Sequence, residues 1–205
     1  MHLKGYDKVF VIGWNPGLQN VIHLPAPDNL SQAVNIKNKL LIACKHPDIS
    51  EDFLYVADDH YLLHEQAIDT YPNYTNGMLV DLAKVQNNTY RAYVLATANI
   101  LRRASITETN FNIHSPIIYN KTKLIATIDK YEWTPLGFLI KSLYGNTQSL
   151  LGTPMNDLKI SRNFTLEEMR AKISGRPVFS TGREWQNKNI SLFLAELFPT
   201  PSKYE

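Results

Sequence analysis

Two adjacent carboxylates, Asp58 and Asp59, follow the apolar run Phe53-Leu54-Tyr55-Val56 after Ala57, and His60 leads on into a second run, Tyr61-Leu62-Leu63. An unpaired charge at the edge of a core is costly, so these acids either face water or hold something. Neighbouring side chains on an extended chain point to opposite faces. One Asp would then reach a divalent cation such as Mn²⁺ or Mg²⁺ through its hard oxygens, while the other positions sugar hydroxyls or backbone donors. The plainer reading is a turn, in which both side chains satisfy backbone N–H groups and meet solvent.

His114 lies in Phe111-Asn112-Ile113-His114-Ser115-Pro116, at the end of a strand expected over 110–114 and before a proline-fixed loop. Strand ends are where α/β enzymes place catalytic groups. A neutral imidazole there can ligate a metal or act as a general base near pH 7, and it can equally serve as a structural hydrogen-bonding group. His60 is the next candidate because it adjoins the acids. Asn15, Asn120, Lys121, Asn146, Ser180 and Arg183 stand close to Pro or Gly breaks and are candidates to line a cleft, each with an alternative role as a cap or turn residue. The chain has no P-loop, no G-x-G-x-x-G and no C-x-x-C pair, which argues against the commonest ATP, dinucleotide and structural-zinc modules. Ser180 is outside any G-x-S-x-G elbow.

The elements that must position these residues are read from apolar periodicity and breakers. Strands are expected at Lys8 to Trp14, Val21 to Leu24, Phe53 to Val56, 110–114 and Val178 to Ser180. A helix should open near Asn29 or Ser31, carry Ala33, Ile36, Leu40, Ala43 and Cys44 on one face, and stop at Pro47. Gly77 to about Ser105 reads as helix in two pieces, with Arg102-Arg103 suited to the C-terminal end of the dipole. Further helices are expected at Asn120 to Lys130, Pro135 to Tyr144, after the capping box Thr165-Leu166-Glu167-Glu168, and at Ser191 to Phe198.

Composition sets the frame. A chain of 205 residues with 44% hydrophobic content is long enough for one sizeable core, and strands alternating with helices imply a single α/β domain over 1–205 with a mixed, mostly parallel sheet flanked by helices. The net charge of +2 neither demands nor excludes an anionic partner, and there is no dense Lys/Arg stripe of the kind that binds DNA strongly. Cys44 has no internal disulfide partner, which fits a buried thiol in a reducing compartment. No run approaches the roughly 18 to 20 apolar residues of a membrane span, and no signal core follows the N-terminus, so the expected location is cytoplasmic.

Taken in order, Val9-Phe10-Val11-Ile12-Gly13 with Asn15-Pro16, then Phe53 to His60, then His114-Ser115-Pro116, then Phe179-Ser180 resemble the stealth-type sugar-phosphate transferases and related phage-encoded glycosyltransferases, which are similar to GT-A nucleotide-sugar enzymes. The resemblance implies a GT-A-like fold. It carries the family's nucleotide and metal element onto Asp58 and Asp59, and its active-site His before Pro onto His114. Ala57 stands where the family often has Asn, and His60 replaces the more usual Met or Phe. The family's first strand and Arg-containing helix, which help hold the donor, have only their tail here in His2-Leu3-Lys4-Gly5-Tyr6, so the donor pocket is expected to be open on that side or built differently.

The function this implies is transfer of a sugar or sugar phosphate from a nucleotide-sugar donor to a hydroxyl acceptor, on a modified DNA base or a glycan. Asp59 and His114 are the expected catalytic residues, and Asp58 with Asp59 the ligands of a divalent cation that neutralises the leaving phosphate. Asn15, His60, Asn120, Lys121, Asn146, Ser180 and Arg183 would contact substrates. Two rival expectations are a nucleotide- or glycan-binding remnant without turnover, and a metal-dependent phosphohydrolase.

Overall fold

The computed structural model describes residues 2–86, 89–161, 163–182 and 188–204. In chain order the elements are β1 (Leu3–Lys4), β2 (Phe10–Gly13), β3 (Ile22–Pro25), α1 (Gln32–Lys45), β4 (Asp52–Tyr55), β5 (His60–Leu62), β6 (Gln66–Ala67), β7 (Tyr74–Thr75), α2 (Leu79–Val85), α3 (Thr89–Arg103), β8 (Ile117–Asn120), α4 (Lys121–Asp129), α5 (Ile140–Thr147), β9 (Thr153–Pro154), β10 (Lys159–Ile160), α6 (Leu166–Ile173), β11 (Val178–Thr181) and α7 (Lys188–Leu197). The chain is mixed α/β, with seven helices among the described residues. No helix among them is long and apolar enough to cross a membrane.

The strands do not join into the one flanked sheet that alternating strands and helices suggest. Among the described residues they form five small sheets: β1 with β6, β2 with β3, and β7 with β9, all parallel; β4 with β8, antiparallel; and a three-stranded sheet ordered β10-β11-β5. In the last, β10 runs parallel and β5 antiparallel to the central β11. Strands of two to four residues bounded by Gly, Pro or a turn give each ladder little length over which to extend.

Three apolar clusters sit between these pieces. Leu79, Val94, Ala98, Leu101, Phe138 and Leu143 join α2, α3 and α5. Leu40, Ile117, Tyr119, Leu124 and Ile128 join α1, β8 and α4. Ile160, Met169, Phe179, Ile190 and Phe193 pack α6 and α7 on one face of the three-stranded sheet.

Helix starts follow their caps. The Ser31 hydroxyl accepts from Val34 N ahead of α1, the Asn120 side chain from Lys123 N ahead of α4, and Thr165 with Glu168 closes a reciprocal box ahead of α6. Two expected elements differ. The helix expected from Pro135 begins only at Ile140, because Gly137 takes φ +81°, a left-handed conformation that ends any helix through it, where a Cβ would lie 3.0 Å from that of Ala33. No strand forms over 110–114. There the Asn110 side chain accepts from Asn112 N at 2.9 Å and Ser115 N donates to Ile113 O, turning the chain, so only an isolated bridge between Met78 and Thr109 precedes it.

Candidate active site

The three-stranded sheet is two-faced because side chains alternate along each strand. Its inner face carries Tyr61 stacked on Phe179 at 5.0 Å, with Ile160, against α6 and α7. Its other face carries Lys159, Ser180 and His60, which the register places side by side across all three strands. Asp59 immediately precedes β5 in a turn closed by His60 N donating to Ala57 O at 3.2 Å. The two acids therefore occupy a turn rather than a strand end: Asp58 is exposed, while Asp59 is half-buried and faces the polar side of the sheet.

Two loops complete the cluster. Asp157 uses both carboxylate oxygens on His114: Oδ1 accepts from the backbone N–H at 3.0 Å and Oδ2 from ring Nδ1 at 2.7 Å. With Nδ1 protonated, Nε2 keeps its lone pair and accepts from the Lys159 ammonium at 3.4 Å. Lys159 in turn lies 3.9 Å from Asp59 Oδ2, and His60 Nε2 lies 3.7 Å from Asp59 Oδ1. His60 Nδ1 accepts from Ala57 N at 3.3 Å, so its proton resides on Nε2, directed at Asp59. A chain Asp157–His114–Lys159–Asp59–His60 results, with the His114 imidazole 36% exposed and able to meet a ligand.

Burial and charge push these groups apart. Burial raises the Asp59 carboxyl above its ordinary value, only partly offset by the His114 ring in its protonated form and by the Lys159 ammonium. Burial also acts upward on Asp157, but the hydrogen bonds and charge of His114, with Lys141, outweigh it and hold the carboxyl below the usual range. His60 is driven down to about 2, by burial first and then by the neighbouring charges of Lys141 and His114, so its imidazole stays neutral. Two carboxyls shifted in opposite directions, one bonded to a half-exposed imidazole and the other joined to it through Lys159, form a site suited to proton transfer.

One helix face sets the loop that bears His114. Lys141, buried in the first turn of α5, donates to Ile113 O and, at 2.6 Å, to Ser115 O. Ser142 Oγ accepts from Phe111 N at 3.1 Å. Gly145 leaves room for the Phe111 ring, and the Asn146 side chain accepts from Thr107 Oγ1 and Thr109 N while donating to Thr109 O. Positions i, i+1, i+4 and i+5 of α5 thus bind the segment 107–115 along its length.

Of the residues singled out in the sequence, Asp59, His60 and His114 come together, with Ser180 in register beside His60. The Ser180 hydroxyl is fully buried and donates to Leu158 O at 3.5 Å. Asn146 is the buried tie just described. Asn120 caps α4 and donates to Asp52 at 2.9 Å, and the Lys121 ammonium donates to His46 O at 2.6 Å, so both serve the junction of α4 with β4 and α1. Asn15 caps Gly17 N and lines a hollow of about 470 Å³ with Trp14, His23 and Asp28 at the ends of β2 and β3. Arg183 lies outside the described residues.

Sequence reading missed Asp157, Lys159 and Lys141. The first two had a signal in Asp157-Leu158-Lys159-Ile160, where charged and apolar residues alternate with the period of a two-faced strand. Lys141 had none, since a lysine in a helix reads as solvated.

A divalent cation needs about six oxygen ligands. Among the described residues no group of three or more His, Cys, Asp or Glu side chains is placed to hold one, and the Asp59 carboxylate has an ammonium and an imidazole as neighbours. These residues do not fit an ion held by protein ligands alone.

No protein-family model matches the chain, and no curated protein matches it either.

Proposed function

We propose that this protein transfers a sugar or sugar phosphate from a nucleotide-sugar donor to a hydroxyl acceptor, with His114 as general base, on a scaffold akin to the GT-A enzymes. The observation that carries this reading is the Asp157–His114 pair, whose unprotonated Nε2 faces Lys159, itself 3.9 Å from the Asp59 carboxyl. His114 Nε2 takes the proton of the attacking hydroxyl as the new bond to the transferred group forms and the bond between that group and the nucleotide phosphate breaks, the free nucleotide leaving with the electron pair. Asp157, held ionised, stabilises the imidazolium that results. The Lys159 ammonium neutralises charge on the donor phosphates, as oriented cations do in phosphoryl and glycosyl chemistry. Asp59, with its raised pKa, either accepts from a sugar hydroxyl or returns a proton to the leaving group. Asp58 and Asp59 would complete a cation site only with ligands from the donor itself, so no step is assigned to a metal.

The resemblance to phage-encoded glycosyltransferases motivates a modified DNA base or a glycan as the acceptor, in a cytoplasmic setting. The test is release of free nucleotide from UDP-, GDP- and CMP-sugars, with Mn²⁺ or with a chelator, in wild type and His114→Ala. Release that falls about 10²–10⁴-fold in the variant supports the assignment. Release equal in both, or none with any donor, overturns it. Phosphate freed from a simple ester without acceptor would instead identify a phosphohydrolase, and binding of donor without turnover a remnant.

A further inference from the structure

We propose that Lys141 is the positioning residue of this site: its ammonium, bonded to the main-chain carbonyls on both sides of His114, fixes the imidazole and its Asp157 partner in the orientation that proton transfer requires. The proposal rests on the reading of His114 as the base. Its physical core is a bond pattern that exists whether or not turnover occurs.

Lys141 occupies an expensive place. Lysine is almost never buried without partners, yet here it is 7% exposed. It also stands in the first turn of α5, where the helix dipole opposes a cation. Filling this space needs no charge, because well-packed apolar residues commonly replace buried ionic groups without loss of stability. What an apolar residue would lack is the reach to two carbonyls at once. The oxygens of Ile113 and Ser115 belong to the residues just before and just after His114. Holding both fixes the peptide planes that set the direction of the His114 side chain. Asp157 then holds the backbone N–H between them and the ring Nδ1. Three successive residues are therefore pinned from two sides, and the ring keeps one tautomer.

The charges around Lys141 agree with this role. Burial brings the ammonium down to about 8, while Asp157, on the loop before β10, and Asp59, in the turn before β5, both favour its charged form. The other titratable groups that feel these two carboxyls are His60 on β5, His114, Lys159 on β10, Asp58 beside Asp59, Tyr55 on β4 and Tyr90 on α3. Loss of the Lys141 proton on the alkaline side of neutrality weakens the clamp without touching the base directly.

The experiment is ¹⁵N NMR of the His114 ring in wild type and Lys141→Met, with far-UV circular dichroism and a thermal melt to establish that the variant is folded. The expected wild-type spectrum is a single Nδ1–H tautomer. Folded Lys141→Met should show averaged tautomers, and nucleotide release should fall at least tenfold in kcat with KM little changed. Wild-type ring signals in a folded Lys141→Met overturn the proposal. Should Lys141→Met fail to fold, the wild type is titrated between pH 7.5 and 9.5: His114 ring signals and the Lys141 side-chain signals should move with one midpoint near 8. A His114 ring that stays unchanged through the lysine titration overturns it. Intact coupling in a protein that turns over no donor supports the clamp and overturns the transferase reading, so the two fail separately.

Discussion

Asp157 spends both oxygens on one neighbour, and this makes its charge hard to replace. In Asp157→Asn the amide presents a donor where the ring needs an acceptor, so the imidazole is driven to the other tautomer and Nε2 loses its lone pair. The expected result is a fall of about 10²–10⁴-fold in kcat for nucleotide release, with a melting temperature close to wild type. His60 supports a second residue-level prediction. Its folded pKa is about 2 against an ordinary 6.5, so between those values the unfolded chain binds the extra proton. Stability from this group is complete above about pH 6.5 and declines as pH falls toward 2. Urea midpoints at pH 7 and pH 5 should drop more for wild type than for His60→Gln; equal drops would remove His60 as the cause. At this scale the sequence showed Asp59, His60 and His114, because acids beside an apolar run and a His before Pro are visible in one dimension. It hid Lys141, whose burial is decided by how α5 meets a segment some thirty residues away.

α5 is where element and site meet. Its face at Lys141, Ser142, Gly145 and Asn146 lies along residues 107–115, and each position has a different reason for its residue. A Cβ on Gly145 would come within 2.6 Å of the Phe111 ring, which is itself buried. Gly145→Ala should therefore destabilise by about 1–3 kcal/mol through overpacking, although alanine is the better helix former. Ser142→Ala removes the hydroxyl that accepts from the Phe111 N–H inside the core and should cost about 1–3 kcal/mol. Chemical denaturation measures both, and a neutral Gly145→Ala would mean that the ring moves aside freely. Capped helices and apolar strands were legible from local signals: Ser31, Asn120 and Thr165 each mark a start that the structure keeps. The segment 110–114 was misread because its apolar residues are held by side-chain hydrogen bonds and by α5, not by a ladder. Pairing was illegible for a related reason: which short strand finds which is decided by docking of helices rather than by the strands themselves.

For the molecule as a whole, a donor that binds the folded state alone raises its stability by mass action. At about 100 times its dissociation constant the gain is about 2.7 kcal/mol, which for a chain of this size is about 5 to 11 °C in Tm. UDP-, GDP- and CMP-sugars screened with and without Mn²⁺ should yield one such shift, reduced in Asp59→Asn; flat melts throughout would count against any nucleotide-sugar site. The α/β class was readable from alternation of apolar runs with capped helices, whereas the five small sheets among the described residues were not, since that is a property of how the pieces dock. The order of strands in the three-stranded sheet bears on synthesis of the chain. β11, which sits between the other two, is the last of them to be made. Until residues 178–181 leave the ribosome, β5 and β10 have no strand to share, and Lys159 cannot be drawn up beside His60. The polar row Lys159–Ser180–His60 is thus completed only with β11, so a nascent chain stalled before it would carry His114 and Asp59 without the sheet that gathers them.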